Sequence, residues 1–136
     1  MIRQRLGKDL LFFDGGMGTL LQEKGLAPGE LPETWNLTHS EEIYKIHRQY
    51  IEAGSDIILT NTFGANALKF HDDSCSLEEI IKAAVSHVKK AEREALLQTG
   101  DERKIYTALD VGPTGKLLKP MGDLEFETAY EAFKEV

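Results

Sequence analysis

The sequence predicts an α/β fold built on parallel strands with helical crossovers, and three features carry that expectation. Its short apolar runs are nearly unbroken rather than alternating, as in strands buried on both faces. Amphipathic helical stripes separate those runs. Each run stops in a cluster of polar and glycine residues: FDGGMGT, LTNTFGAN and LDVGPTG. Ligands of parallel α/β folds bind at such carboxyl ends of strands.

Leu10 to Phe13 lead into Asp14 and three glycines, which gives a first strand over about 10–14 and a helix after it. The stretch LAPGELPETWNL, residues 26–37, holds two prolines and the only tryptophan and reads as an irregular loop. Thr38 and Glu41 then match a capping box. Ile43, Ile46, His47, Tyr50 and Ile51 recur at helical spacing, and Gly54 ends the run. A second strand follows over 56–60. Ser76 and Glu79 match another capping box, with Leu77, Ile80, Ile81, Ala84, Val88, Ala91 and Ala95 in one stripe up to Gly100. The third strand covers 104–110. A last helix starts near Asp123, with Phe126, Ala129, Tyr130 and Phe133 on one face, and its pattern is still running at Val136. Parallel crossovers are right-handed, so the three strands are expected side by side.

The 136 residues are enough for one domain, 1–136, and too few for two. With 41% hydrophobic and 29% charged residues the chain is globular rather than disordered. The net charge of -7 comes without any basic block, which excludes nucleic acid and anionic membranes as partners. The apolar run at Leu10 to Phe13 is too short for a membrane span. Cys75 is the only cysteine, so no internal disulfide forms, and a reducing cytoplasm is expected. The acids of HDDSCS make Cys75 a poor nucleophile. His39, His47, His71 and His87 share no ligand-like spacing with one another or with Cys75, so no metal is expected in this segment.

The strand ends offer the chemistry. Gly15, Gly16 and Gly18, with Met17 among them, let a backbone approach a ligand and precede a helix start that suits an anion. Asp14 beside them suits an ammonium, so the pair fits an amino-acid zwitterion. The same residues also fit a tight turn with Asp14 as helix cap. Thr60, Asn61, Thr62 and Phe63 close the second strand and serve either a ligand or the loops around them. Asp110, before the rigid GPTG turn, is again a ligand group or a cap.

FDGGMGT at 13–19, ILTNTFGAN at 58–66 and ALDVGPTG at 108–115 together resemble the start of the homocysteine-binding domain of methionine synthases and related homocysteine S-methyltransferases. The resemblance spans essentially the whole chain. It implies a (β/α)8 TIM-type barrel, of which this sequence would supply the first three βα units, since a whole barrel takes about 250 residues. It implies homocysteine as substrate, with Asp14 and Gly15 to Gly18 around the amino-acid end. Thr60 to Phe63 would lie beside that end and Asp110 would close the third side. In that family three cysteines of later strands hold zinc, which binds the thiol as thiolate; cobalamin and methyltetrahydrofolate sit on other domains. Those cysteines have no counterpart here, so catalysis by this chain alone is not expected. Two other readings stand beside this one: a non-catalytic half-barrel completed by another chain, and a different small-molecule barrel enzyme. Open sheet edges and an inner face carrying Leu11, Phe13, Ile58 and Leu109, or their alternates, predict a homo-oligomer.

Overall fold

The protein is described by a computed structural model over residues 2–100 and 102–136. β1 (Ile57–Leu59) is the middle of the sheet, because a segment pairs with it in parallel on each side. On one side β2 (Tyr106–Ala108) sets Ile57 opposite Tyr106, Ile58 opposite Thr107 and Leu59 opposite Ala108. On the other side the first predicted strand meets β1 only at Phe13, opposite Ile57.

The expected three regular strands are thus corrected to two strands and a bridge. Phe12 O accepts from Asp56 N (2.8 Å) and Ile57 N (3.0 Å), and Asp14 N donates to Ile57 O (3.0 Å). The Phe12 N–H, however, goes to the Asp56 carboxylate at 3.1 Å, so a side chain takes a backbone donor. Leu10, Phe12 and Phe13 are exposed, and no strand lies outside this segment among the described residues.

Two helices cover one face of the sheet. These are α3 (Ser40–Glu52) and α4 (Leu77–Thr99). Tyr44 and Ile51 of α3, Val88, Ala91 and Ala95 of α4, Ile58 of β1 and Ile105 just before β2 form one buried cluster. Ile58 therefore faces the helices, which corrects its assignment to the inner face. α4 begins with the expected capping box: Ser76 Oγ accepts from Glu79 N (3.2 Å), and the Glu79 carboxylate accepts from Ser76 N (2.8 Å). It ends at Gly100, whose φ of 67° is the left-handed conformation that glycine adopts without strain.

Three other expectations are corrected. Thr38 is not a cap: it closes α2 (Trp35–Thr38), and its hydroxyl donates to Thr34 O (3.1 Å), so His39 precedes α3 with no side-chain cap. The 26–37 stretch is not wholly irregular. A 3-10 turn at Pro32–Thr34 runs into α2, with proline in the opening position where its missing N–H costs nothing. The last helix is α5 (Phe126–Glu135), and it buries Ala129 and Ala132 while Phe126, Tyr130 and Phe133 are exposed. A second cluster, Leu21 of α1 (Met17–Glu23) with Trp35, Ile43 and Ile46, ties α1 and α2 to α3. That cluster fixes where the glycine turn before α1 can lie.

His47 is fully buried on α3, as its place in the apolar stripe implied, and neither ring nitrogen has a partner. Burial, with a smaller contribution from His87 on α4, lowers its pKa to about 4. The unfolded chain protonates this residue first, near 6.5, so the contribution of His47 to stability is intact above that value and falls as pH drops toward 4. At pH 5 the loss from His47 alone is about 2 kcal/mol. Urea unfolding at pH 7 and pH 5 checks this: His47→Leu should lose distinctly less stability across that step than the wild type.

Candidate functional site

The three strand ends converge on one cavity of about 440 Å³. All ten residues singled out from the sequence line it: Asp14, Gly15, Gly16, Met17, Gly18, Thr60, Asn61, Thr62, Phe63 and Asp110. Leu31, Pro32, Glu33, Leu59, Gly64 and Lys69 complete the wall.

Asp14 does not cap α1; Gly16 stands at that position, with no side-chain cap. Instead Asp14 Oδ2 accepts from Leu59 N at 3.1 Å, which ties the first strand end to the second. Oδ1 is buried and has no partner. Burial raises the Asp14 pKa to about 6; bonds from the Leu59 and Asp14 N–H groups oppose the shift, and the nearby charge of Asp110 adds to it. Burial also raises the pKa of Asp110.

Thr60 and Thr62 are buried and share a hydroxyl–hydroxyl bond of 2.6 Å. Thr60 Oγ1 accepts from Asp110 N (3.1 Å), and Thr62 Oγ1 donates to Asp110 O (2.8 Å). These bonds carry the parallel pairing past the end of β2 and fix where the Asp110 side chain starts. Asn61 is held from outside the sheet: its side chain donates to Pro32 O (2.8 Å) and its carbonyl accepts from the Asn36 side chain (2.8 Å). His87 in turn bonds Asn36 O at 2.7 Å, a structural use of that imidazole.

The loop wall was invisible to sequence reasoning. Glu33 is buried, and its carboxylate accepts from Gly64 N at 2.5 Å. A β-carbon at Gly64 would stand 2.7 Å from that oxygen, so glycine permits the approach. Lys69 was also missed, because nothing in its local pattern sets it apart. The available signal for Glu33 was Pro32 before it, which marks a helical start inside a supposed loop.

Among the described residues no group of three or more His, Cys, Asp or Glu is arranged to hold a metal ion. Cys75, the one thiol, lies outside this cavity. The residues present do not fit the zinc that the resemblance implies.

A profile described as homocysteine S-methyltransferase matches residues 11–136. The methionine synthase of Mycobacterium leprae (strain TN) is 30% identical over 138 residues, covering 97% of this chain and 11% of that protein. Among solved structures, the metallated form of the homocysteine methyltransferase MmuM from Escherichia coli aligns with a TM-score of 0.71 at 24% identity. That alignment covers 84% of this chain and 42% of that one. The apo form gives a TM-score of 0.68 at 23% identity, over 95% and 43%. The chain thus shares the fold of part of MmuM, of which it spans about two fifths, and it spans far less of the synthase's length. With the profile matched from Leu11 to the last residue and the strand ends gathered on one cavity, the chain belongs to the homocysteine S-methyltransferase family.

Proposed function

We propose that this chain supplies part of the homocysteine site of a methyltransferase that makes methionine, and that the cavity takes the amino-acid end of the substrate. One observation carries the reading: Asp14 Oδ1 is buried and unpartnered in the cavity wall, where a substrate ammonium would complete it. A buried polar atom without a partner costs about 1–3 kcal/mol, which a cationic ligand would offset. Asp110 adds a second acidic group, and the N–H groups from Gly15 to Gly18 lie beside the carboxylate end. Thr60 and Thr62 keep Asp110 in position rather than reacting.

Methyl transfer needs the substrate as thiolate, and no side chain in the cavity wall would hold one. We therefore expect binding without turnover, and assign zinc, cobalamin and methyltetrahydrofolate to parts of a larger enzyme. Isothermal titration with L-homocysteine tests the reading, beside elemental analysis for zinc and an assay with methylcobalamin. The expected result is saturable binding with neither equimolar zinc nor turnover. Turnover above a chelator-treated control, or zinc retained after dialysis, would contradict it.

A half-barrel that pairs with a second copy is favoured by a separate observation. The exposed surface is 8437 Å². A compact protein of this mass exposes about 7,100 Å², and the excess is of the order of a protein–protein interface. Leu10, Phe12 and Phe13 of the outer segment, and Leu109 after β2, are exposed apolar residues. We propose self-association through the open sheet edges and these exposed residues, read by light scattering at micromolar concentration, and a cytoplasmic location on the strength of the single cysteine.

A further inference from the structure

We infer that residues 2–9 form a latch, closed by the ion pair of Arg5 and Asp56, which keeps the first strand end docked on β1. Burial contributes little to that docking, since Leu10, Phe12 and Phe13 are exposed. Polar contacts hold the segment instead, and they converge on Asp56, the residue before β1. Asp56 N donates to Phe12 O (2.8 Å), and Asp56 Oδ2 accepts from Phe12 N (3.1 Å). The Asp56 carbonyl accepts from Tyr106 N of β2 at 2.8 Å. One residue therefore grips both neighbours of β1 at the amino end of the sheet.

The other carboxylate oxygen of Asp56 belongs to Arg5. Nη1 and Nη2 of the guanidinium each stand 3.4 Å from Oδ1. Arg5 is aimed by its own segment, a compact turn in which Arg5 N donates to Ile2 O (2.9 Å). Lys8 N and Asp9 N then donate to Arg5 O, at 3.0 and 2.9 Å. Asp9 also takes the guanidinium Nε at 2.9 Å. A planar fork serves two carboxylates in fixed directions, which an ammonium does not. Hydrogen bonds to Asp9 and Tyr106, with the charge of Asp56, raise the Arg5 pKa, so the fork keeps its charge. With side-chain exposures of 30% for Arg5 and 12% for Asp56, the pair is partly shielded from water and attracts more strongly than a fully exposed one.

The latch lies at the opposite end of the strands from the cavity, and residues 10–14 join the two. If the segment lifts, the N–H groups of Asp56, Ile57 and Leu59 and the carbonyl of Ile57 all lose their partners. β1 is then left with an open parallel edge. Arg5 thus acts as a positioning residue for Asp14, through Asp56, and guards that edge.

Hydrogen exchange of the whole chain, followed amide by amide by NMR, tests the latch with no ligand present, so its outcome is separate from that of the homocysteine reading. Asp56→Asn keeps an acceptor for Phe12 N, and Arg5→Gln changes a partly exposed side chain, so both variants should fold. Each should speed exchange of the Asp14 amide by about fivefold, the upper end for one partly exposed ion pair. The double variant should be no faster than the faster single one, because either change removes the same contact. In about 1 M sodium chloride, where the Debye length is about 3 Å, wild-type exchange should rise to the level of Arg5→Gln. A pair that broke only on global unfolding would lower the melting temperature and leave the Asp14 amide unmoved. That result, additive effects in the double variant, or a gap that persists in high salt would each overturn the latch.

Discussion

Gly112→Ala is expected to lower stability by about 1–3 kcal/mol, the usual cost of forcing extra volume into a packed contact. A methyl group there would overlap the Phe63 carbonyl oxygen and come within 2.8 Å of the ring at Cδ2. Neither atom can step aside cheaply. The carbonyl already accepts from Gly112 N at 3.1 Å, and Phe63 follows Thr62, which is bonded to Asp110. The two strand-end loops must separate, so the melting temperature should fall by roughly 5–10 °C and homocysteine binding should weaken with it. Gly18→Ala serves as the control for the melting temperature, because a β-carbon there meets nothing within 4 Å. A Gly112 variant that melts like the wild type would show that the loops are not locked together.

Asp14→Asn is expected to weaken homocysteine by about 1.5–3 kcal/mol, the worth of a hydrogen bond to a charged group, or about 10- to 100-fold in the dissociation constant. The amide can still accept from Leu59 N, so the strand-end tie survives while the charge is lost. Wild-type affinity should also fall as pH drops through about 6, where Asp14 takes up its proton. The α-carboxyl and α-amino groups of the ligand keep their charges between pH 5 and 7. The Asn variant should be flat over that interval. For stability the sign is opposite. A carboxyl whose folded pKa lies above its unfolded value makes the native state weaker as pH rises through that range. The substitution should therefore leave the fold at pH 7 no less stable, which separates lost affinity from lost structure. An unchanged dissociation constant would remove Asp14 from the ammonium role.

How much of this was legible in the sequence follows from the range of the forces involved. α4 could be read at both ends, because its capping box and its terminal glycine are local devices encoded within a few residues. The cavity could be read from three strand ends, since parallel pairing delivers every carboxyl end to one side of the sheet. Thr38 misled because a hydroxyl can bond backward as readily as forward, and a preceding helix supplied Thr34 O as acceptor. The first strand misled for a long-range reason: Asp56, over forty residues away, takes the Phe12 N–H. Glu33 and Lys69 reach the cavity only through tertiary contacts with Gly64, Phe63 and Gly115, which no local pattern records.

The single-bridge attachment of residues 12–14 sets unequal local opening free energies across the site. Thr60, Thr62 and Asp110 are bonded to one another, and Asn61 is held by the loop and helix behind it. Asp14 hangs from β1 by a few backbone bonds on one side only. Segments with few buried contacts open at a fraction of the global unfolding energy. The amides near Asp14 thus belong to an exchange class apart from those near Thr60 and Asp110. When that segment lifts, the cavity keeps its threonines, its asparagine and Asp110 but loses the carboxylate that meets the ammonium. Ligand affinity then carries a conformational factor, the fraction of molecules with the first strand end docked, and anything that covers Leu10, Phe12 and Phe13 raises that fraction without touching the ligand.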